Sequence, residues 1–347
     1  QGKEMPLLSV PPFSWLALLV MSSVWVSVFI LSSLTSLLGK VGPLLAAPFV
    51  SLGLVIPPLM FAWIGAGGLL RASHRRLWGT LALSLTGSSA IAISIQIILL
   101  VGVLAIFLVS SKAGPEILET IQTLRAQIEQ ADSMERLLAI LAPYLVRSDI
   151  VALIMLFTAV LVPLIEEAVK PLAVWLIGRE VHSPAEGFAL GAISGAGFAI
   201  IEGMLSISEM LSTPYFGLPA RLASSLMHVA LSAIMGWGIV SFLRDKRWFA
   251  FLGSYLLSAG LHGLWNGSTV LAVYGALRIT LVNVLQGEEI GIASLLGGIC
   301  FLGLAFLGIA TSLPLLNLRF RRRQSSIMVS SIPEKERTFD ELDCSGR

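Results

Sequence analysis

The chain has 347 residues, of which 56% are hydrophobic and only 13% are charged. Soluble domains usually carry about a quarter of charged residues, so this composition, with a mean hydropathy of +0.87, is that of an integral membrane protein. The net charge of +2 is too small to indicate a nucleic-acid partner. Two cysteines, Cys300 in an apolar run and Cys344 in a polar tail, do not suggest a disulfide framework.

Eight apolar runs, taken in chain order, are long enough to span a bilayer, since a spanning helix needs roughly 20 apolar residues. They are 13–38, 44–70, 79–110, 150–177, 187–208, 220–243, 248–274 and 290–316. The first run is too long for a signal-peptide core, so we expect it to be retained. We therefore predict an all-α polytopic membrane protein with about eight transmembrane helices.

The basic residues predict the orientation of these spans. The clusters RASHRR (71–76), RDKR (244–247) and RFRRR (319–323) fall on one side of an eight-span protein, together with Arg179. Because loops rich in Lys and Arg stay in the cytoplasm, we predict a multi-pass protein of the cell membrane with both termini cytoplasmic.

The segment 112–149 differs from the spans because its apolar residues are interrupted by charges. They recur at helical spacing between Ile117 and Ile128, and Asp132 and Ser133 offer an N-cap for a second helix. We expect two amphipathic helices outside the membrane on the extracytoplasmic side, lying on the bilayer or on the protein.

The sequence divides into five predicted parts. They are three scaffold transmembrane helices (1–111), extracytoplasmic amphipathic helices (112–149), a four-helix catalytic core (150–274), an outer loop with the last span (275–320), and a disordered cytoplasmic tail (321–347).

Ionisable and strongly polar residues are concentrated in spans four to seven. They are Glu166, Glu167, Lys170, Glu202, His228, His262 and Asn266. A charged side chain at the centre of a membrane costs about 2.5–3.5 kcal/mol on the insertion scale, and such residues mark functional sites by default. A structural ion pair between helices is the alternative interpretation.

Spacing within the fourth span allows Lys170 to pair with either glutamate. Glu166 is four residues away and Glu167 is three residues away. Pro163 and Pro171 lack N–H groups and therefore each free a backbone carbonyl, which a membrane tolerates only where protein or a wet cavity receives it.

Small residues in the fifth span predict close helix packing. Gly187, Gly191 and Gly195 repeat every fourth residue, and Phe198 and Glu202 continue the same stripe. Stripes of this kind let two helix backbones approach each other.

The stretches EEAVK (166–170), FAIIE (198–202) and HGLWN (262–266), with His228 between the last two, resemble the PrsW-type intramembrane proteases. That family is related to the CAAX prenyl endopeptidases and to bacteriocin-processing homologues. The resemblance covers about 150–270 and implies an endopeptidase that hydrolyses a peptide bond of a single-span membrane protein, such as an anti-sigma factor, within the lipid bilayer.

The resemblance also implies roles for individual residues. Catalytic roles fall on Glu166, Glu167, Glu202, His228, His262 and Asn266, and supporting roles fall on Lys170 and Phe198. One of the adjacent glutamates would activate water as a general base, and Glu202 would help to orient that water. His262 and Asn266 would stabilise the oxyanion. Spacing cannot choose between the adjacent glutamates; we favour Glu166.

The catalytic type is open between a glutamate and a metal mechanism. The HExxH spacing of many zinc proteases is absent, so we favour a glutamate type with no metal cofactor. Zinc is the second option, since Glu and His ligate it. Its ligands would then be Glu166, Glu202, His228 and His262.

Three other functions compete with this prediction. A serine protease could use Ser194 in AISG (192–195), a near match to the rhomboid GxSG pattern, whereas an aspartyl protease is excluded because spans four to seven contain no Asp. An ion-coupled transporter could use the same charges as a relay. A catalytically silent scaffold that binds transmembrane helices is the third alternative.

Overall fold

The computed structural model describes residues 8–110, 114–281 and 287–330, and these ranges fold almost entirely into helices. The helices are α1 (Trp15–Ser36), α2 (Gly42–Ala66), α3 (His74–Leu83), α4 (Ser89–Ser110), α5 (Gly114–Glu129), α6 (Met134–Leu145), α7 (Ser148–Met155), α8 (Val162–Val169), α9 (Leu172–Ile177), α10 (Pro184–Leu205), α11 (Ile207–Ser212), α12 (Pro214–Asp245), α13 (Trp248–Thr280) and α14 (Glu288–Ser330). A 3₁₀ turn covers Gly39–Val41, and π turns cover Ser84–Ser88 and Leu156–Leu161. One antiparallel pair of two-residue strands, β1 (Leu8–Ser9) and β2 (Arg71–Ala72), is the exception within these ranges. The predicted all-α class is confirmed.

Most of the predicted spans form helices of membrane-spanning length and composition. Within the described ranges, seven stretches qualify: Trp15–Ser36, Gly39–Ala66, His74–Ser110, Ser148–Ile177, Pro184–Leu205, Pro214–Asp245 and Glu288–Gln324. The remaining predicted span forms α13, whose polar side chains, including His262 and Asn266, make it less apolar. With 33 residues α13 is about 50 Å long, and it packs along α12 and α14. We infer that it crosses the same layer as these two neighbours.

The amphipathic segment forms the two predicted helices, α5 and α6. Ser133 caps α6, because its hydroxyl accepts a hydrogen bond from the Arg136 amide at 3.2 Å. The apolar face of α6 rests on the end of α13, where Ala142 and Leu281 are buried together. Residues 112 and 113 of the predicted segment lie outside the described residues.

The glycine stripe of α10 sets the centre of the bundle. A Cβ added at Gly195 would come within 2.5 Å of the His228 carbonyl, and one at Gly187 within 2.6 Å of the Gly236 carbonyl. Only glycine therefore lets α12 approach this closely, as the sequence predicts. The close approach fixes the position of His228 relative to α10, which is itself mostly buried.

The last helix is longer than the sequence predicts. α14 continues to Ser330, whereas a disordered tail was expected from residue 321. The stretch from 315 to 330 contains neither Pro nor Gly, so nothing in it interrupts helical hydrogen bonding. Residues 331–347 of the predicted tail, including Cys344, lie outside the described residues.

Candidate active site

The glutamate pair lies on α8, a short helix that begins after a π turn and ends at Val169, two residues before Pro171. Side chains of other spans bond to backbone carbonyls on either side of this pair. The Asn266 amide donates to the Thr158 carbonyl at 2.9 Å, and the Ser194 hydroxyl donates to the Lys170 carbonyl at 2.6 Å. These two hydrogen bonds tie the region of α8 to α13 and α10, in agreement with the rule that backbone groups in a membrane meet protein partners.

Lys170 is the centre of the buried polar cluster. Its side chain is fully buried, and its ammonium lies 2.8 Å from Glu167 Oε1 and 3.1 Å from Glu166 Oε2. The predicted reach to both glutamates is confirmed. The same ammonium lies 2.7 Å from Nδ1 of His228 and 3.4 Å from Nδ1 of His262. One cation thus contacts side chains of α8, α12 and α13.

Each histidine of the cluster is held by a carboxylate. His262 Nδ1 lies 2.8 Å from Glu167 Oε1, and His228 Nε2 lies 2.5 Å from Glu202 Oε2. The second nitrogen of His262 lies 3.8 Å from Glu166 Oε2. A carboxylate on one ring nitrogen fixes the tautomer and orientation of an imidazole, so Nδ1 of His228 is directed toward Lys170 and Nε2 of His262 toward Glu166.

Phe198, which the resemblance gives a supporting role, lies beside this centre. Its ring centroid is 4.9 Å from the Lys170 ammonium and 5.8 Å from that of His228. A cation held over an aromatic face gains electrostatic stabilisation, so Phe198 adds to the forces that keep Lys170 in place.

Two residues of the site were missed by the sequence analysis. Gln96 of α4 donates to Glu166 Oε1 at 2.8 Å, and Arg221 of α12 lies 2.9 Å from Glu202 Oε1. Arg221 also donates to the Ser206 hydroxyl at 2.5 Å. Gln96 is the one amide side chain in run 79–110 and Arg221 the one Lys or Arg in run 220–243, and either fact could have drawn attention to them.

A cavity of about 770 Å³ opens beside the cluster, between the end of α10 and helices α11 to α14. Glu202, Arg221, His228 and Asn266 are among its polar lining residues. Large apolar residues also line it: Met210, Phe216, Met227, Trp265 and Phe306. The cavity therefore combines apolar walls with polar groups that include members of the cluster, which is typical of binding sites.

The structure divides the predicted site residues between the cavity and the region behind it. Glu202, His228 and Asn266 line the cavity, whereas Glu166, Glu167 and His262 are absent from its described lining. His228 connects the two groups through Glu202 on one side and Lys170 on the other.

Ser194 has the contacts of a packing residue. Its hydroxyl donates to the backbone carbonyl of Lys170, and its own carbonyl accepts a hydrogen bond from the Ser84 hydroxyl. A serine nucleophile instead hydrogen-bonds to a base that removes its proton. These contacts do not support the serine mechanism.

The cluster contains side chains of the kinds that bind metal ions, but a metal ion would compete with the Lys170 ammonium for the space between them. Candidate ligand atoms of Glu166, His228 and His262 lie within 4.8 Å of one another, and all three residues are buried. Zinc in catalytic sites takes three protein ligands of these types, and a carboxylate on the other nitrogen of each histidine is a common second shell. The Lys170 ammonium lies among the same donors, so a divalent ion would require it to move, because like charges repel. Glu202, predicted as a fourth ligand, is not part of this group.

Comparison with known proteins identifies the family of the chain. The sequence model of the family described as PrsW family intramembrane metalloprotease matches residues 77–286, which is more than half of the chain and extends from α3 to the end of α13. Neither the curated proteins nor the solved structures gave a match. The matched region includes the glutamate pair, both cluster histidines, Gln96 and Arg221. The chain is therefore a multi-pass membrane protein that belongs to the PrsW family of intramembrane proteases.

Proposed function

We propose that the chain is an endopeptidase that cleaves a single-span membrane protein, such as an anti-sigma factor, with water activated by a glutamate of the buried cluster. The observation that carries this proposal is the position of Lys170, whose ammonium contacts Glu166, Glu167 and two imidazoles. A buried cation at this distance favours the ionised carboxylate, which is the form that a general base needs.

Glu166 is the better candidate for the base. Glu167 is completely buried and its Oε1 is shared by Lys170 and His262, which leaves it the role of orienting the imidazole. Glu166 retains slight exposure, and its Oε2 lies 3.1 Å from the Lys170 ammonium but 3.8 Å from the nearest nitrogen of His262. Because no imidazole is bonded to this oxygen, it would accept the proton of water.

The substrate would lie in the 770 Å³ cavity with its scissile bond beside Glu202 and Asn266, which line it. Asn266 lines this space, and the amide N–H that does not bond to Thr158 would stabilise the developing oxyanion. His228, whose two ring nitrogens contact Lys170 and Glu202, would hold Glu202 in position. His262 is set behind the cavity, and in this arrangement it serves the glutamates rather than the substrate carbonyl. Glu202, held by Arg221 and His228, would orient the water between the cavity and Glu166.

A metal-dependent form is the second candidate, favoured by the family description and by the three clustered donors. Glu166, His228 and His262 would hold the ion, and a bound zinc would lower the pKa of a water and polarise the substrate carbonyl. Glu167 and Glu202 would then orient the two imidazoles, as they already do by their contacts.

Metal dependence tests these two forms directly. The full chain, reconstituted in liposomes with a candidate anti-sigma factor, is expected to cleave it after treatment with a strong chelator and to contain less than stoichiometric metal by mass spectrometry. Loss of cleavage on chelation, restored by zinc, would establish the metal form. If the wild-type chain cleaves no membrane-spanning substrate, the endopeptidase proposal fails.

The Ser194→Ala variant distinguishes the serine mechanism from the glutamate mechanism. We expect cleavage within a few-fold of the wild type, with a loss of about 1 kcal/mol in the free energy of unfolding, because one hydrogen bond to the Lys170 carbonyl is removed. Rates on the reconstituted substrate and unfolding in detergent measure the two effects. A loss of cleavage comparable to that of a glutamate variant, without unfolding, would restore the serine mechanism.

Gly303→Phe tests whether the cavity holds the substrate. Gly303 of α14 lines the cavity, and a Cβ added there meets no atom within 4 Å, so a side chain at this position begins in open space. We expect kcat/KM to fall at least about tenfold, because the phenyl ring would occupy space that the substrate needs.

Gly308→Phe is the matched control for this change. Gly308 lies on the same helix and also has open space around an added Cβ, but it does not line the cavity. Equal kcat/KM values for the two variants would show that the substrate binds elsewhere.

A further inference from the structure

A second cavity, of about 320 Å³, lies between the second half of α12, the first half of α13 and the last part of α14, and shares no lining residue with the first. Its volume falls within the range of ligand pockets, roughly 300–1,000 Å³. Trp237, which lines it, is nine residues beyond His228 on α12, or about 13 Å along the helix axis. The second cavity is therefore separate from the candidate active site. We call it the basic pocket because Arg319 and Arg323 line it.

The lining of the basic pocket changes from apolar to cationic along α14. Leu316, Arg319 and Arg323 all line it, and their spacing of three and four residues places them on one helix face. Leu316 is closest to the apolar part of α14, and Ile234 and Leu257 add apolar surface from α12 and α13. The pocket is therefore apolar near Leu316 and cationic near Arg323. This arrangement matches a phospholipid, which has apolar acyl chains and a charged headgroup.

More positive charge lies next to the same pocket. An adjoining hollow shares the Trp237 wall and is lined by Lys246 and Arg247, and the Arg247 guanidinium lies 6.0 Å from the Trp237 ring. None of the described residues that line the pocket or the hollow is acidic. Asp245, the acidic residue nearest in sequence, is exposed and lines neither. Four cationic side chains therefore surround one tryptophan without an acidic residue in the lining.

Aromatic residues place this end of the bundle at the level of the lipid headgroups. Trp248 and Phe249 line the adjoining hollow and are 51% and 71% exposed, and exposed tryptophans of membrane proteins concentrate at the membrane–water interface. The basic clusters here, 244–247 and 319–323, are those that predict the cytoplasmic side. The cytoplasmic leaflet is where anionic lipids are enriched.

We propose that the basic pocket binds an anionic phospholipid, with its phosphate between Arg319 and Arg323 and an acyl chain along Ile234, Leu257 and Leu316. The planar guanidinium donates paired hydrogen bonds to phosphate oxygens, and both arginines are exposed to the surroundings of the helix bundle. A free phosphate shares the headgroup chemistry but makes no use of the apolar end. The apolar end therefore favours the lipid.

Native mass spectrometry of the delipidated full chain tests this proposal, because the measurement does not require protease activity. The probes are phosphatidylglycerol, phosphatidylcholine with the same acyl chains, and glycerol phosphate. We expect tight binding of phosphatidylglycerol alone. Arg319→Gln with Arg323→Gln should weaken it roughly 25-fold, at about fivefold for each charge. Arg319→Lys with Arg323→Lys, which keeps both charges, should retain most of the binding and shows that the pocket is still folded.

The control removes two positive charges elsewhere on the same predicted side. Arg75 and Arg179 are exposed and line neither cavity, so Arg75→Gln with Arg179→Gln should leave the affinity for phosphatidylglycerol within about twofold. An equal loss in the control pair would mean that net charge alone attracts the lipid. Glycerol phosphate binding with the same dependence on Arg319 and Arg323 would make the ligand a soluble phosphate. Unchanged phosphatidylglycerol binding in the Gln pair would remove the site.

Discussion

Glu166→Gln is expected to lower kcat about 10²- to 10⁴-fold, the range that a positioned general base contributes, with little change in KM. Glutamine has nearly the same size as glutamate, but its neutral amide cannot take a proton from water. Lys170 and Glu167 remain as a balanced pair after the change. We therefore expect the folded state to survive while turnover is lost.

Steady-state cleavage by the reconstituted chain measures this effect, and thermal unfolding in detergent verifies the fold. Glu202→Gln is the informative companion, because Glu202 lines the cavity whereas Glu166 lies behind it. A near wild-type rate for Glu166→Gln, combined with loss of turnover in Glu202→Gln, would assign the base to Glu202 instead.

The helical class, most spans and the contacts within α8 follow from the sequence because they depend on local spacing alone. Lys170 is three and four residues from the glutamates, so one helix turn brings them together whatever the rest of the protein does. The glycine stripe on α10 also acts locally, since a missing side chain permits a close neighbour. Sequence alone did not say that the neighbour is α12 and that the stripe would set His228 against Glu202 and Lys170.

Tertiary packing decided the remaining features of the site. Gln96 contacts Glu166 although α4 was assigned to the scaffold, because the rotation of α4 about its axis cannot be read from a nearly uniform apolar run. Asn266 and His262 are four residues apart, and the sequence predicted them as one pair of donors. In the structure Asn266 lines the cavity and bonds to Thr158, whereas His262 pairs with Glu167 behind it.

The strongest effect on stability is expected for Lys170→Met. The change removes the ammonium that contacts both glutamates, and it leaves two carboxylates in a buried site without their cation. Removal of one partner of a buried ion pair usually costs about 3–5 kcal/mol, and Gln96 and His262 can offset only part of that loss, since each contacts one glutamate oxygen. Denaturant unfolding of the purified chain measures the free energy of unfolding.

The double variant Lys170→Met with Glu167→Gln separates charge from packing. If the ammonium acts as the counter-charge, removing one carboxylate as well should recover part of the stability, giving a coupling energy that a mere loss of packing would not produce. The same variants also test whether the site binds a metal ion, because Lys170 lies among the candidate ligand atoms of Glu166, His228 and His262. Under the glutamate mechanism Lys170→Met stays unstable with or without zinc. A variant as stable as the wild type only when zinc is added would mean that a divalent ion can take the place of the ammonium, and the preference for the metal-free form would then be wrong.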